Sequence, residues 1–122
     1  MVAVHPREVL VIDDNLSLAE NIAEILQIDG HTTRVAGSAE EALSSSLEAE
    51  PDVVITDYRL PGINGAAFVQ QFLAMHSHGR AMVISAHTDA KTIGEATHVG
   101  AAFMAKPLDL ELLGRWVGEG SS

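Results

Sequence analysis

The chain has 122 residues, 47% of them hydrophobic and 20% charged, with no cysteine. That is the size of one globular domain burying roughly two-thirds of its unfolded surface, and it excludes disulfides, thiolate zinc sites and thiol nucleophiles. The formal charge is −10, from 17 acids against 7 bases, which disfavours direct nucleic-acid binding, since Lys and Arg supply that affinity, and suits divalent cations and basic partners.

No apolar run approaches the ~20 residues of a membrane span, and the N-terminus lacks the apolar stretch of a signal peptide. A cytoplasmic protein without membrane association is expected. After a short lead-in, VLVID (9 to 13) is an apolar run ending in acid. The next segment reads as a helix, with Ser17 and Glu20 spaced as a capping box and Leu18, Ile22, Ile25 and Leu26 on one face. Gly30 is placed to stop it. HTTRVAG is a shorter, more polar strand, suited to an edge.

Ser38 and Glu41 form a second capping box, opening a helix in which Ala39, Ala42, Leu43 and Leu47 align. DVVITD is a buried strand, and from Gly65 a helical stripe of Phe68, Val69, Phe72 and Leu73 follows. AMVIS (81 to 85) is a fourth strand, and residues 88 to 99 form a weak helix containing Gly94. AAFMA (101 to 105) is a fifth strand. The last helix turns Leu112, Leu113, Trp116 and Val117 inward, and GEGSS is a polar tail.

Five βα units imply a parallel sheet covered by helices on both faces. Right-handed crossovers then gather all strand C-termini on one edge, where open α/β sheets carry their sites. Asp13 and Asp14 follow strand one, Asp57 ends strand three, Ser85 ends strand four, and Lys106 and Pro107 follow strand five. Two unit charges ~4 Å apart repel by about 4 kcal/mol at an effective dielectric of 20. Three carboxylates together therefore call for protons or a cation, and hard oxygen donors without His or Cys suit Mg²⁺ or a similar ion such as Mn²⁺. Lys106 suits either pairing with Asp57 or holding an incoming phosphoryl oxygen. A metal, a lysine and an oxygen nucleophile are the parts of phosphoryl transfer.

With VLVIDDN, VVITDYRLPGING, VISAH and GAAFMAKP in this order, the chain resembles the receiver domain of two-component response regulators from about Glu8 to Gly118. The resemblance implies a doubly wound, flavodoxin-like (βα)5 fold with strand order 2-1-3-4-5, carried over from chemotaxis members. It implies that Asp57 accepts a phosphoryl group from a histidine on a sensor kinase or phosphotransfer protein. Mg²⁺ would be held by Asp14, by Asp13 through water, by Asp57 and by the backbone carbonyl of Arg59. Lys106 would bind a phosphoryl oxygen, with Lys106-Pro107 in the cis form. Ser85 would bond the phosphoryl group in the active state, while Phe103, at the aromatic switch position, turns inward and the surface around residues 87 to 105 changes. Arg59 and His87 would flank the path of hydrolytic water, with Arg59 shielding the acyl phosphate.

Other readings are weaker. A phosphatase resembling haloacid dehalogenases would carry a second acid where Arg59 stands, and a flavodoxin-like binding module would need a phosphate-cradling loop after strand one. A scaffold without phosphorylation would not need the intact acid pair, Asp57, Ser85 and Lys106. Domain organisation is expected to be a single receiver, residues 1 to 122, with a core at 8 to 118 and a tail or linker stub at 119 to 122. An output domain or downstream protein would receive the signal, and a homodimer would use the last helix or the 88 to 105 face. An H-x-H pair, His76 and His78, lacks the third ligand of a metal site.

Overall fold

The computed structural model describes residues 5–119. Residues 1–4 of the N-terminal lead-in and 120–122 of the polar tail lie outside them. In chain order the elements are β1 (Glu8–Ile12), α1 (Leu16–Ile28), β2 (Thr32–Ala36), α2 (Ala39–Glu48), β3 (Val53–Asp57), α3 (Gly65–Met75), β4 (Arg80–Ser85), α4 (Ala90–His98), β5 (Ala102–Ala105) and α5 (Leu110–Gly118). All strand pairings are parallel, and the sheet order is β2-β1-β3-β4-β5, with the polar β2 on an edge as expected.

Alternation along each strand divides the core between the two faces of the sheet. Leu10, Ile12, Val54 and Val83 pack with Ala39, Ala42, Phe68, Phe72 and Ala96, beneath α2, α3 and α4. Val9, Val11, Ile55 and Ile84 face the other way, onto Ile22, Leu26, Leu113 and Val117 of α1 and α5. Near-continuous apolar strands are required because both faces are covered.

Helix ends follow local hydrogen-bond chemistry, and one differs from expectation. α1 begins at Leu16, and its N-cap is Asn15, whose side chain accepts the Leu18 N–H at 3.2 Å. Ser17 therefore lies inside the first turn and forms no capping box. At α2 the cap is Ser38, as expected, but the Glu41 carboxylate accepts the Gly37 N–H at 2.8 Å instead of the N–H of Ser38. Gly30 ends α1 with φ of 101°, and the Gly30 and His31 N–H groups return to the carbonyls of Gln27 and Leu26.

Three leucines expected inside are exposed. Leu43 and Leu47 are 41% and 84% exposed, because α2 sits on the sheet through Ala39 and Ala42 and leaves both leucines on the rim of a groove against α3. Leu112 is likewise exposed, since α5 buries Leu113 and Val117. Trp116 is half-buried beneath the Arg80 guanidinium, whose carbon lies 4.2 Å from the ring centroid.

Candidate functional site

The C-terminal edge of the sheet gathers the predicted residues from four strands. Asp13 extends the ladder one residue past β1 by donating its N–H to the Ala36 carbonyl at 3.0 Å, and it is fully buried, whereas Asp14 beside it is exposed. Asp57 is the last residue of β3, opposite Ile84, and only 8% exposed. Ser85 closes β4, opposite Ala105, and the Lys106 N–H donates to the Ser85 carbonyl at 2.8 Å. The Lys106-Pro107 peptide is cis.

One carboxylate oxygen each from Asp13, Asp14 and Asp57 lies within 4.8 Å of the other two. The Lys106 ammonium is 3.0 Å from Asp13 Oδ2 and 3.4 Å from Asp57 Oδ1. Asp13 Oδ1 meanwhile accepts the Asn15 N–H at 2.9 Å, tying the acid to the start of α1. Burial pushes the Asp57 carboxyl up from its ordinary value, and neighbouring Asp13 adds to this; Lys106 opposes both without cancelling them. For Lys106 itself burial acts downward, but the Asp13 hydrogen bond and the charges of Asp57 and Asp13 outweigh it and raise the ammonium.

The donor set is chemically suited to a hard divalent ion. Three carboxylates against one ammonium leave two negative charges when all are ionised, and no soft donor intrudes. The three acids could hold a metal ion.

The loop after Asp57 explains why a buried strand runs straight into turn residues. The Tyr58 N–H donates to the Ile84 carbonyl at 2.8 Å, and the Tyr58 carbonyl accepts the Gly65 N–H at 2.7 Å. Asn64 caps α3 by accepting the Ala67 N–H at 2.8 Å. Gly65 passes so close to β3 that a Cβ there would collide with the Asp57 carbonyl oxygen. The turn thus anchors Asp57 from behind and leaves its carboxylate facing the edge.

Ser85 is buried, and its Oγ accepts the His87 N–H at 2.9 Å, within its own loop. Phe103 lies on the α2, α3 and α4 side of the sheet, half-buried against the core there. Arg59 and His87 are exposed in the loops two residues after β3 and β4 end.

Two contributions escaped sequence reasoning. Asn15, immediately after the acid pair, has the residue type of an N-cap, but the S-x-x-E spacing at Ser17 pointed elsewhere. The Tyr58 hydroxyl lies 2.9 Å from both carboxylate oxygens of Glu95 on α4, a contact between residues 37 apart with no signature in the chain.

Comparison with known proteins shows the family and agrees with the fold. A family model described as the response regulator receiver domain matches residues 9–117. The chain is 35% identical over 103 residues to a response regulator receiver protein of Anaeromyxobacter, covering 84% of this chain and 43% of that protein. It is 32% identical over 100 residues to the transcriptional regulatory protein FixJ of Azorhizobium caulinodans, covering 81% and 47% respectively. Among solved structures, the chemotaxis protein CheY4 of Vibrio cholerae superposes with a TM-score of 0.82 at 26% identity, covering 93% of this chain and 97% of that one. The chain belongs to the response regulator receiver domain family, the signalling switches of bacterial two-component systems. It spans less than half the length of the two regulators named here. Among the described residues no helix is long and apolar enough to cross a membrane.

Proposed function

We propose that this domain accepts a phosphoryl group on Asp57 from a phosphohistidine of a sensor kinase or histidine phosphotransfer protein, with Mg²⁺ or Mn²⁺ bound. The observation that carries the reading is the convergence of Asp13, Asp14, Asp57 and Lys106 at one sheet edge. Asp14, Asp57, the Arg59 carbonyl and, through water, Asp13 would hold the ion. When bound, it neutralises charge on the transferring phosphoryl group.

The chain's own groups perform the transfer. An Asp57 carboxylate oxygen attacks phosphorus, the P–N bond breaks, and its electron pair leaves on the imidazole nitrogen. The ring departs neutral, with the proton on its other nitrogen. Lys106, already between Asp13 and Asp57, moves onto a phosphoryl oxygen and supplies charge-assisted hydrogen bonding. Attack of water on phosphorus later returns free Asp57 and inorganic phosphate, so turnover is confined to the domain's own modification. Arg59 and His87 flank that water, and Arg59 shields the acyl phosphate.

The signal follows from Ser85. Its Oγ exchanges the His87 N–H for the phosphoryl group, Phe103 turns inward, and the surface from 87 to 105 repacks. An output domain or downstream protein reads that surface. Exposed Ile93 on α4 and Leu112 on α5 supply apolar contacts there, including those of a homodimer. With a charge of −10, this domain's own surface is unsuited to nucleic acid.

Borohydride trapping after incubation with acetyl phosphate and Mg²⁺ tests the assignment. Reduction of an aspartyl phosphate yields homoserine, expected at position 57. Homoserine at another position, or none, would contradict it.

A further inference from the structure

α4 is loosely attached. It buries only Thr92 and Ala96, both small, and a cleft of about 430 Å³ separates it from α3, lined among others by Asn64, Ala67, Gln70, Lys91 and His98. Gly94 faces open space. Among the described residues, one side-chain hydrogen-bonding contact joins this helix to the loop after Asp57: the Tyr58 hydroxyl between the two Glu95 carboxylate oxygens, each at 2.9 Å.

Tyr58 is rigidly placed at the other end. Its N–H is bound to Ile84, the residue before Ser85, and its carbonyl to Gly65 at the start of α3. The phenol therefore reports the position of β3, β4 and α3 to a helix with little other hold. The bond is formed in the arrangement in which Ser85 Oγ accepts from its own loop at His87.

We infer that the Tyr58–Glu95 pair is a latch that holds α4 in the resting arrangement and opposes switching, with Tyr58 a positioning residue. The inference rests on the receiver reading above. A contact made in one state and lost in the other shifts the equilibrium by its differential strength, and by linkage it changes ligand affinity at the distant site equally. Glu95 lies on α4, outside the acidic cluster, so an effect of its removal on the Asp57 site reports coupling between the two.

The test is the affinity for beryllofluoride with Mg²⁺, a phosphoryl mimic at Asp57, in wild type, Tyr58→Phe, Glu95→Ala and the double variant. Each single change is expected to tighten binding about ten- to a hundredfold, the range for one charge-assisted hydrogen bond. The double variant should gain no more than either alone, because both remove the same bond. Amide exchange across residues 90–98 should also quicken in the unliganded single variants, while that of α2 stays unchanged. Equal affinity in wild type and both single variants would overturn the latch alone. No binding by wild type would overturn the receiver reading and the latch with it.

Discussion

Lys106 pairs more closely with Asp13 than with Asp57, its ammonium lying 3.0 Å from the first and 3.4 Å from the second. The lysine thus holds the fully buried acid while remaining within reach of the strand-end acid beside it. Lys106→Met removes the one cation that, among the described residues, opposes burial at Asp57. In the absence of metal, the Asp57 carboxyl carbon should titrate at higher pH in the variant than in wild type, by NMR. Phosphoryl uptake from acetyl phosphate should slow by about tenfold or more, the loss of a charge-assisted contact to the transferring group.

The fold disfavours the charged form of Asp57. Its carboxyl is raised, so between the ordinary carboxylate value and the raised one the folded state binds more protons than the unfolded state. Stability then falls as pH rises through that window, and the penalty is fully present above it. Asp57→Asn should raise the thermal midpoint at pH 7, and the difference should shrink as pH drops through the carboxylate range. Added Mg²⁺ should stabilise wild type more than the variant, since ligand bound to the folded state adds stability by mass action.

Two glycines should respond oppositely to alanine. At Gly65 the new Cβ meets the Asp57 carbonyl, and such overpacking costs about 1–3 kcal/mol. Urea titration should show that loss, accompanied by slower phosphorylation as Asp57 shifts. At Gly94 a Cβ meets nothing within 4 Å inside a helix, so Gly94→Ala should stabilise by about 0.5–1 kcal/mol.

His31 sets an acid limit unrelated to the phosphorylation edge. Its Nδ1 accepts the Arg7 N–H at 3.0 Å, which places the proton of the neutral ring on Nε2, and Nε2 is buried without a partner among the described residues. Burial lowers its pKa, Asp29 acts upward and Arg7 further downward. The unfolded chain therefore binds a proton first as pH falls below about 6.5, and stability should fall from there through the lowered value. His31→Gln keeps an acceptor for Arg7 and should lose less stability than wild type between pH 7 and pH 5.

The convergence of Asp13, Asp14, Asp57, Ser85 and Lys106 was legible because apolar runs and crossover handedness put all strand C-termini on one edge, whereas the sheet order came only through the receiver resemblance. Helix faces were less legible where a short helix docks through alanines: Leu43, Leu47 and Leu112 share the periodicity of core residues yet are exposed. At α1 two polar residues, Asn15 and Ser17, both suit a cap, and the backbone bond from Asn15 to Asp13 Oδ1 accompanies the choice of Asn15. The preference of Lys106 for Asp13 depends on side-chain distances of a few tenths of an ångström, and the Tyr58–Glu95 contact depends on where α4 settles. Neither is encoded in local pattern.

Intact mass after incubation with acetyl phosphate, with and without Mg²⁺, tests the central claim most directly. The account predicts a metal-dependent gain of one phosphoryl group in wild type and none in Asp57→Asn. An equal gain in the variant, or none in wild type with either acetyl phosphate or a phosphohistidine donor, would contradict it.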